Sequence, residues 1–392
     1  MDRVERIKGL RDHLRAVGMA GALLFYSRDV FYYTGTAQPA WLATTPEDFR
    51  LYVRSGLDFA RADTGWGDDR LASARNPEAI AATMFANLAT GARIGAEMDV
   101  MPVPLFDQVR RAFPSVDLVD LSPAILAQRA VKSAAEVAMV EKACVAVDAG
   151  HQAAIREVRA GMSELEASAI IENAHRLAGH EGACFMRQAD FLMGRGPFAS
   201  GPNIARISGV VFTVSGIGLS PAVPVGASRR RMAEGDLLVV DIPACVEGYH
   251  SDQSRTYAVG RASPRALDLY GRLKETADRT MADLRPGLTA GEVFEMALRH
   301  AAAAGIGAEF LAFPGGKRSH FVGHGVGLEL NEPPLLARSN PAPLAAGMVL
   351  AIEMQAYAAE GILVKLEDTV LLRQEGGCRI LTKSPRELSV IG

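Results

Sequence analysis

The sequence predicts an α/β (α+β) chain in two parts, a small α/β domain over residues 1–125 and a larger domain over residues 126–392. Three observations predict it. Helical and strand-like hydrophobic patterns alternate along the first part. A capped helix occurs twice in the second part, the copies 126 residues apart. Acidic residues in that part sit on apolar, strand-like runs joined by turn signals.

The first part opens on an amphipathic segment, followed by a strand at Ala20-Gly-Ala-Leu-Leu-Phe25 and strand-like stretches at Leu51-Tyr-Val-Arg54 and around Leu118. The stretch from Ala112-Phe-Pro-Ser-Val to Leu121-Ser-Pro123 supplies the turn-forming residues of a boundary near 125. A long helical pattern then runs from Ser133 towards Val158. The repeat follows. Arg159-Ala-Gly-Met-Ser163-Glu-Leu-Glu166 and Arg285-Pro-Gly-Leu-Thr289-Ala-Gly-Glu292 share the pattern Arg-x-Gly-apolar-Ser/Thr-x-x-Glu, and Ala178-Gly179 recurs as Ala304-Gly305. Each copy reads as a helix begun by a capping box, Ser163 with Glu166 and Thr289 with Glu292, and ended by a glycine. The second part is therefore read as a duplication.

Asp241 ends the apolar run Leu237-Leu-Val-Val240, Asp252 opens Asp252-Gln-Ser-Arg-Thr-Tyr-Ala-Val259, and Glu247-Gly248 marks a turn between them. A hairpin closing between residues 246 and 247 sets the two aspartates directly opposite each other. Opposed carboxylates destabilise a sheet unless a cation lies between them. The device recurs: Glu353 ends Met348-Val-Leu-Ala-Ile-Glu353, Glu367 lies in Ile362-Leu-Val-Lys-Leu-Glu367 before Asp368-Thr-Val-Leu-Leu372, and Glu360-Gly361 supplies the turn. One such acid is an ordinary edge-strand charge; four form a set. His324, in Phe321-Val-Gly-His-Gly-Val-Gly327, has glycines on both sides that let backbone pack against an imidazole. Asp241, Asp252, His324, Glu353 and Glu367 together read as the ligands of a two-metal hydrolytic site.

Composition excludes several functions. A chain of 392 residues that is 49% hydrophobic and 22% charged has the balance of a globular protein of more than one domain. A net charge of -3 without a lysine-arginine stripe argues against nucleic acid, Arg229-Arg-Arg231 being read as a solvated turn. The mixed-charge opening Met1-Asp-Arg-Val-Glu-Arg-Ile lacks a signal peptide's apolar stretch and no run is long enough to span a bilayer, so a cytoplasmic protein is expected. Cys144, Cys184, Cys245 and Cys378 are widely spaced and read as reduced thiols.

The order and surroundings of Asp241, Asp252, Gly-His324-Gly-Val-Gly, Gly-Met-Val-Leu-Ala-Ile-Glu353 and Leu-Glu367-Asp-Thr-Val resemble the creatinase/aminopeptidase P/prolidase/methionine aminopeptidase family of "pita-bread" metallohydrolases (M24). Arg129-Ala-Val-Lys-Ser133 with Glu136 resembles the start of that family's catalytic domain, and Phe31-Tyr-Tyr-Thr-Gly35 an N-terminal signature of its longer members. The resemblance implies a creatinase-like N-terminal domain (1–125) and a pita-bread catalytic domain (126–392) whose pseudo-twofold halves place helices over a curved antiparallel sheet. It implies two divalent ions bridged by Asp252 and Glu367, with Asp241 on one and His324 and Glu353 on the other. Glu353 is the implied acceptor of the attacking water's proton. Carboxylates with one imidazole admit manganese, cobalt, iron or zinc, and manganese is expected. A homodimer is implied in the same way.

Two departures from the family stand out. Its peptidases carry a histidine in a Pro-His motif ahead of the first ligand strand and another about seven residues beyond the metal-binding histidine. Here the first region reads Ser220-Pro-Ala-Val-Pro-Val-Gly226, with no histidine between 181 and 249, and the second reads Leu328-Glu-Leu-Asn331-Glu-Pro-Pro334. Asn331 donates hydrogen bonds but shuttles no proton. His320 matches a family histidine near substrate in proline-specific members, and His250 is a third candidate for substrate contact beside Asn331. Arg187 is read as a surface salt bridge, Tyr32 and Tyr33 as core aromatics. The expected function is a metal-dependent Xaa-Pro aminopeptidase or dipeptidase. The lost histidines keep open a C–N hydrolase of creatinase or ectoine-hydrolase type, or a dimethylsulfoniopropionate lyase-like enzyme, on a small molecule. A non-catalytic binding protein ranks last, since all five ligands are retained.

Overall fold

The computed structural model describes residues 3–188, 195–209, 211 and 213–392. The chain divides into two compact units, Met1–Arg129 with Arg187–Ala189, and Ala130–Met186 with Asp190–Gly392.

In the first unit six strands form one mixed sheet. Gly21–Leu24 lies at its centre, antiparallel to Ala40–Thr44 and parallel to Ala92–Ala96. Phe49–Val53 and Leu71–Ser73 extend one side and Val116–Asp120 the other. Leu23, Trp41, Tyr52, Ile80, Ile94, Val109 and Phe113 fill its core. Tyr32 and Tyr33 are core aromatics, 1% and 0% exposed, with hydroxyls on the Gln128 carbonyl (3.3 Å) and side chain (2.9 Å). The surface salt bridge expected of Arg187 is instead a nearly buried one. Its guanidinium lies 2.7 Å from fully buried Asp29 and 2.6 Å from Asp99, and Asp29 also takes Arg129 at 2.6 Å. A buried aspartate holds its charge only with such partners.

The second unit repeats a plan of two helices followed by strands: Ala134–Glu157 and Glu164–Leu177, then Pro264–Asp283 and Ala290–Ala303. Both expected capping boxes form, Ser163 and Thr289 each exchanging bonds with Glu166 and Glu292, and Gly179 and Gly305 follow the helix ends at φ 107° and 77°. Those left-handed angles suit a residue without Cβ. Among the described residues the strands make two four-stranded sheets and a two-stranded one, Ala244–Val246 with Tyr249–Ser251. One four-stranded sheet runs Ser389–Ile391, Ser254–Val259, Leu237–Asp241, Phe198–Ser200; the other runs Gly323–Gly325, Val349–Tyr357, Leu363–Leu372, Cys378–Ile380.

The hairpin register differs from the sequence expectation. Val246 pairs with Tyr249 and Asp241 with Ser254, so the partner of Asp241 lies two residues beyond Asp252. The turn is the cause. Glu247 and Gly248 both take positive φ, 51° and 79°, as a two-residue hairpin loop of type I′ requires. A shift of two residues conserves the face, because side chains alternate with period two. Asp252 lies where the ladder lapses, between Ser251 and Ser254, and its amide donates instead to Thr369 Oγ1 at 2.9 Å.

Candidate metal centre

Three strand positions of the second sheet share one face. Glu353 is paired directly with Glu367, and His324 is paired with Ala351, two residues before Glu353. Asp241 ends Leu237–Asp241 of the other four-stranded sheet, and Asp252 comes from the gap just before Ser254–Val259. All five are buried: Asp241 4%, Asp252 6%, His324 3%, Glu353 9% and Glu367 1% exposed. Asp252, His324 and Glu367 each offer a donor atom within 4.8 Å of the others. His324 Nε2 lies 3.7 Å from Glu353 Oε1 and 3.8 Å from Asp252 Oδ2. Its Nδ1, 3.0 Å from the Gly325 carbonyl, is the natural place for the ring proton, which leaves the Nε2 lone pair facing the acids.

Electrostatics mark the site as built for cations. Burial, then the charges of Asp241 and Glu353, hold the Asp252 carboxyl well above the usual carboxylate range; burial, then Asp252 and Glu353, do the same to Glu367. Burial lowers His324, favouring the neutral imidazole that binds metal. Asp252 Oδ1 and Glu367 Oε1 are buried with no hydrogen-bond partner, a costly state for oxygens that a cation would satisfy. Four carboxylates and one neutral imidazole fit hard or borderline divalent ions.

A second layer holds the cluster's side chains and backbone in place. Ser254 Oγ donates to Glu367 Oε2 at 3.0 Å, and Thr369 Oγ1 donates to the Asp252 carbonyl at 2.8 Å. Glu367 and Asp368 are adjacent acids on opposite faces of one strand. Asp368 is held away from the site by Arg255 (2.6 Å), Arg386 (2.6 Å) and Thr382 (2.9 Å).

One member of the site escaped the sequence reading. Lys365 is 1% exposed, its Nζ 2.6 Å from Asp241 Oδ2, 2.6 Å from Glu353 Oε2 and 3.6 Å from Glu367 Oε2. Burial disfavours its charge, but Asp241, Glu353 and Glu367 raise it well above the ordinary lysine range. Strand periodicity held the signal: Lys365 precedes Glu367 by two residues and must share its face.

The substrate-side candidates fare differently. His250 is fully buried with Nε2 accepting from the Phe185 amide (3.0 Å) and Nδ1 2.9 Å from the Gly327 carbonyl, so both nitrogens are committed to backbone. His320 and Asn331 are exposed, His320 edge-on to Phe321 at 5.2 Å. Val225, in the region where the family's Pro-His motif is expected, packs against Cys184, Val211 and Leu330. That neighbourhood is apolar.

Comparison with known proteins bears on all of this. Residues 138–374 match the profile of metallopeptidase family M24, and residues 6–131 match the creatinase/prolidase N-terminal domain. An Xaa-Pro dipeptidase of Pyrococcus horikoshii is 30% identical over 289 residues, 74% of this chain and 72% of that protein. Among solved structures, a prolidase from Pyrococcus horikoshii is 26% identical with a TM-score of 0.79, covering 98% of this chain and 99% of that one. An Xaa-Pro dipeptidase from Bacillus anthracis, 23% identical, shares the fold over the whole of both chains with a TM-score of 0.83.

Proposed function

We propose that this chain, which belongs to metallopeptidase family M24, is a metal-dependent Xaa-Pro peptidase acting on short peptides. The observation that carries the reading is the buried convergence of Asp252, His324 and Glu367, with orphaned carboxylate oxygens, beside Asp241 and Glu353. Asp241, Asp252, His324, Glu353 and Glu367 would hold two divalent ions, manganese foremost. Divalent ions held there would supply acidification of a water and stabilisation of the oxyanion that develops on an attacked carbonyl.

The chain's own groups do the rest. Glu353 accepts the water's proton on a carboxylate oxygen. His324, its Nδ1 tied to the Gly325 carbonyl, keeps Nε2 turned towards the acids. Ser254 and Thr369 hold Glu367 and the Asp252 backbone in place. His320 and Asn331 are assigned to the substrate side, Asn331 as a hydrogen-bond donor to an oxyanion where relatives use imidazole. His250, with both nitrogens on backbone, anchors the Phe185 and Gly327 loops rather than donating to substrate. Catalysis is assigned to residues 126–392 and the active form to a cytoplasmic homodimer. Among the described residues no helix is long and apolar enough to cross a membrane.

The test is proline release from Xaa-Pro dipeptides and longer Xaa-Pro peptides by protein stripped of metal and reloaded with manganese, cobalt, zinc or iron. Metal-dependent release is expected. Protein that binds the ions and cleaves none of the panel would overturn the peptidase reading.

A further inference from the structure

The carbonyl of Gly325, the residue after His324, serves two donors: His324 Nδ1 at 3.0 Å and the Glu332 amide at 2.8 Å. The Gly325 amide donates back to the Glu332 carbonyl at 2.8 Å, closing an antiparallel bridge between the two residues. Only glycine allows this approach. A Cβ on Gly325 would lie 2.5 Å from the Pro333 carbonyl oxygen and 2.8 Å from that of Glu332, and one on Gly327 would lie 2.6 Å from the Glu332 carboxylate. The glycines flanking His324 therefore make room for Glu332 as well as for the imidazole. The Glu332 side chain, 2% exposed, ends in an ion pair: Oε2 is 3.0 Å from Lys132 Nζ, itself 1% exposed, and Oε1 accepts the Glu329 amide at 3.1 Å. Lys132 is anchored at its own backbone, its amide donating to the Gly347 carbonyl at 3.0 Å just ahead of the Ser133 cap.

We propose that the Lys132–Glu332 ion pair is a positioning device for His324. By fixing residues 325–332 it holds the Gly325 carbonyl where the Nδ1 proton needs an acceptor, and so keeps the Nε2 lone pair on the acids. Buried pairs of this kind add little net stability, because desolvation offsets their attraction, and apolar replacements often fold as well. What an apolar pair lacks is a fixed direction. The Glu332 carboxylate has a partner on each oxygen, one from residue 132 and one from residue 329, and together they set the path of the backbone between Gly325 and Glu332. A partner outside the ligands that orients an imidazole fixes its tautomer and its aim. Asn331 is carried by the same clamp, since its neighbours are Glu332 and Leu330, whose amide donates to the Phe185 carbonyl at 2.8 Å.

The inference rests on His324 being a metal ligand, and its test reads Mn2+ binding by equilibrium dialysis rather than cleavage. E332Q is expected to weaken binding roughly 10- to 100-fold, the usual effect of losing a partner that orients a ligand. In the H324A background the same change should cost nothing further, since the imidazole it acts through is gone. Equal losses in both backgrounds would overturn the proposal, as would an E332Q protein that binds Mn2+ like wild type. Wild type that binds no Mn2+ would overturn the metal reading itself and this inference with it. A second variant separates positioning from folding. K132M/E332M replaces the pair by apolar side chains and is expected to keep the wild-type denaturant midpoint while losing Mn2+ affinity by the same factor. Wild-type stability together with wild-type affinity in that protein would make the pair a feature of the fold alone and sink the idea.

Discussion

Glu353 and Glu367 stand directly opposite each other on neighbouring antiparallel strands, both buried, 9% and 1% exposed. Like charges in that relation oppose sheet formation. Lys365 Nζ, 2.6 Å from Glu353 Oε2 and 3.6 Å from Glu367 Oε2, sets a positive charge beside the pair and offsets that repulsion.

Glu367→Ala removes a ligand, so metal affinity should fall by more than roughly 100-fold, the upper end of what outer-shell changes cost. Metal analysis after dialysis checks it, with peptide cleavage lost in parallel. A Glu367→Ala protein that retains two ions per chain would contradict the assignment of Glu367 as a ligand.

Metal removal and pH should act together. Asp252 and Glu367 have folded pKa values raised above their unfolded ones, so between those values the native state binds more protons than the unfolded chain. Their contribution to stability is then lost as pH rises from about 4 upwards. Lys365, also raised, acts in the same direction but in a higher window: its contribution is complete below the unfolded lysine value and fades only as pH passes the folded one. Ions that bind only deprotonated ligands gain affinity as pH rises. The Tm difference between manganese-loaded and stripped protein should therefore widen from pH 5 to pH 8. A difference that stays constant or narrows on calorimetry would contradict the raised carboxyls.

Thr369→Val is close in shape but lacks the hydroxyl that both accepts from the Asp252 amide (2.9 Å) and donates to its carbonyl (2.8 Å). Two buried backbone groups lose their partner, at a cost of about 1–3 kcal/mol each at most. Because Asp252 sits in a gap of the β-ladder, its placement depends on this bond, and metal affinity should drop roughly 10- to 100-fold. Denaturant unfolding and Mn2+ titration measure the two effects separately. Loss of stability with full metal affinity would make Thr369 a fold residue only.

The duplicated helices and the buried acids of the cluster were legible because each is a local signal: a capping box is written in four residues, and an acid in an apolar run violates the pattern around it. The Asp241 register was not, since it depends on Glu247 taking the left-handed region that its side chain disfavours. Lys365 was passed over because a lysine two residues from an acid reads as an ordinary charge pair until the sheet is known to be buried on that face. His250 looked available for substrate because nothing local announces that its nitrogens are taken by Phe185 and Gly327, distant in sequence.

The two regions without histidine give the sharpest test of chemistry. Asn331 is exposed, so Asn331→His should fold normally, whereas Val225→His would put a polar ring into the cluster of Cys184, Val211 and Leu330. Burying a polar group without a partner costs about 1–3 kcal/mol, so V225H should lose stability where N331H does not. General acid–base catalysis by a placed imidazole contributes roughly 10²–10⁴-fold. If proton transfer to the leaving nitrogen limits turnover of Xaa-Pro peptides, N331H should raise kcat within that range and leave KM nearly unchanged, with a new pH limb near the histidine pKa. A kcat that does not move, with metal content intact, would place residue 331 away from the scissile bond. Proton delivery would then fall to groups already in the nest, Glu353 first among them.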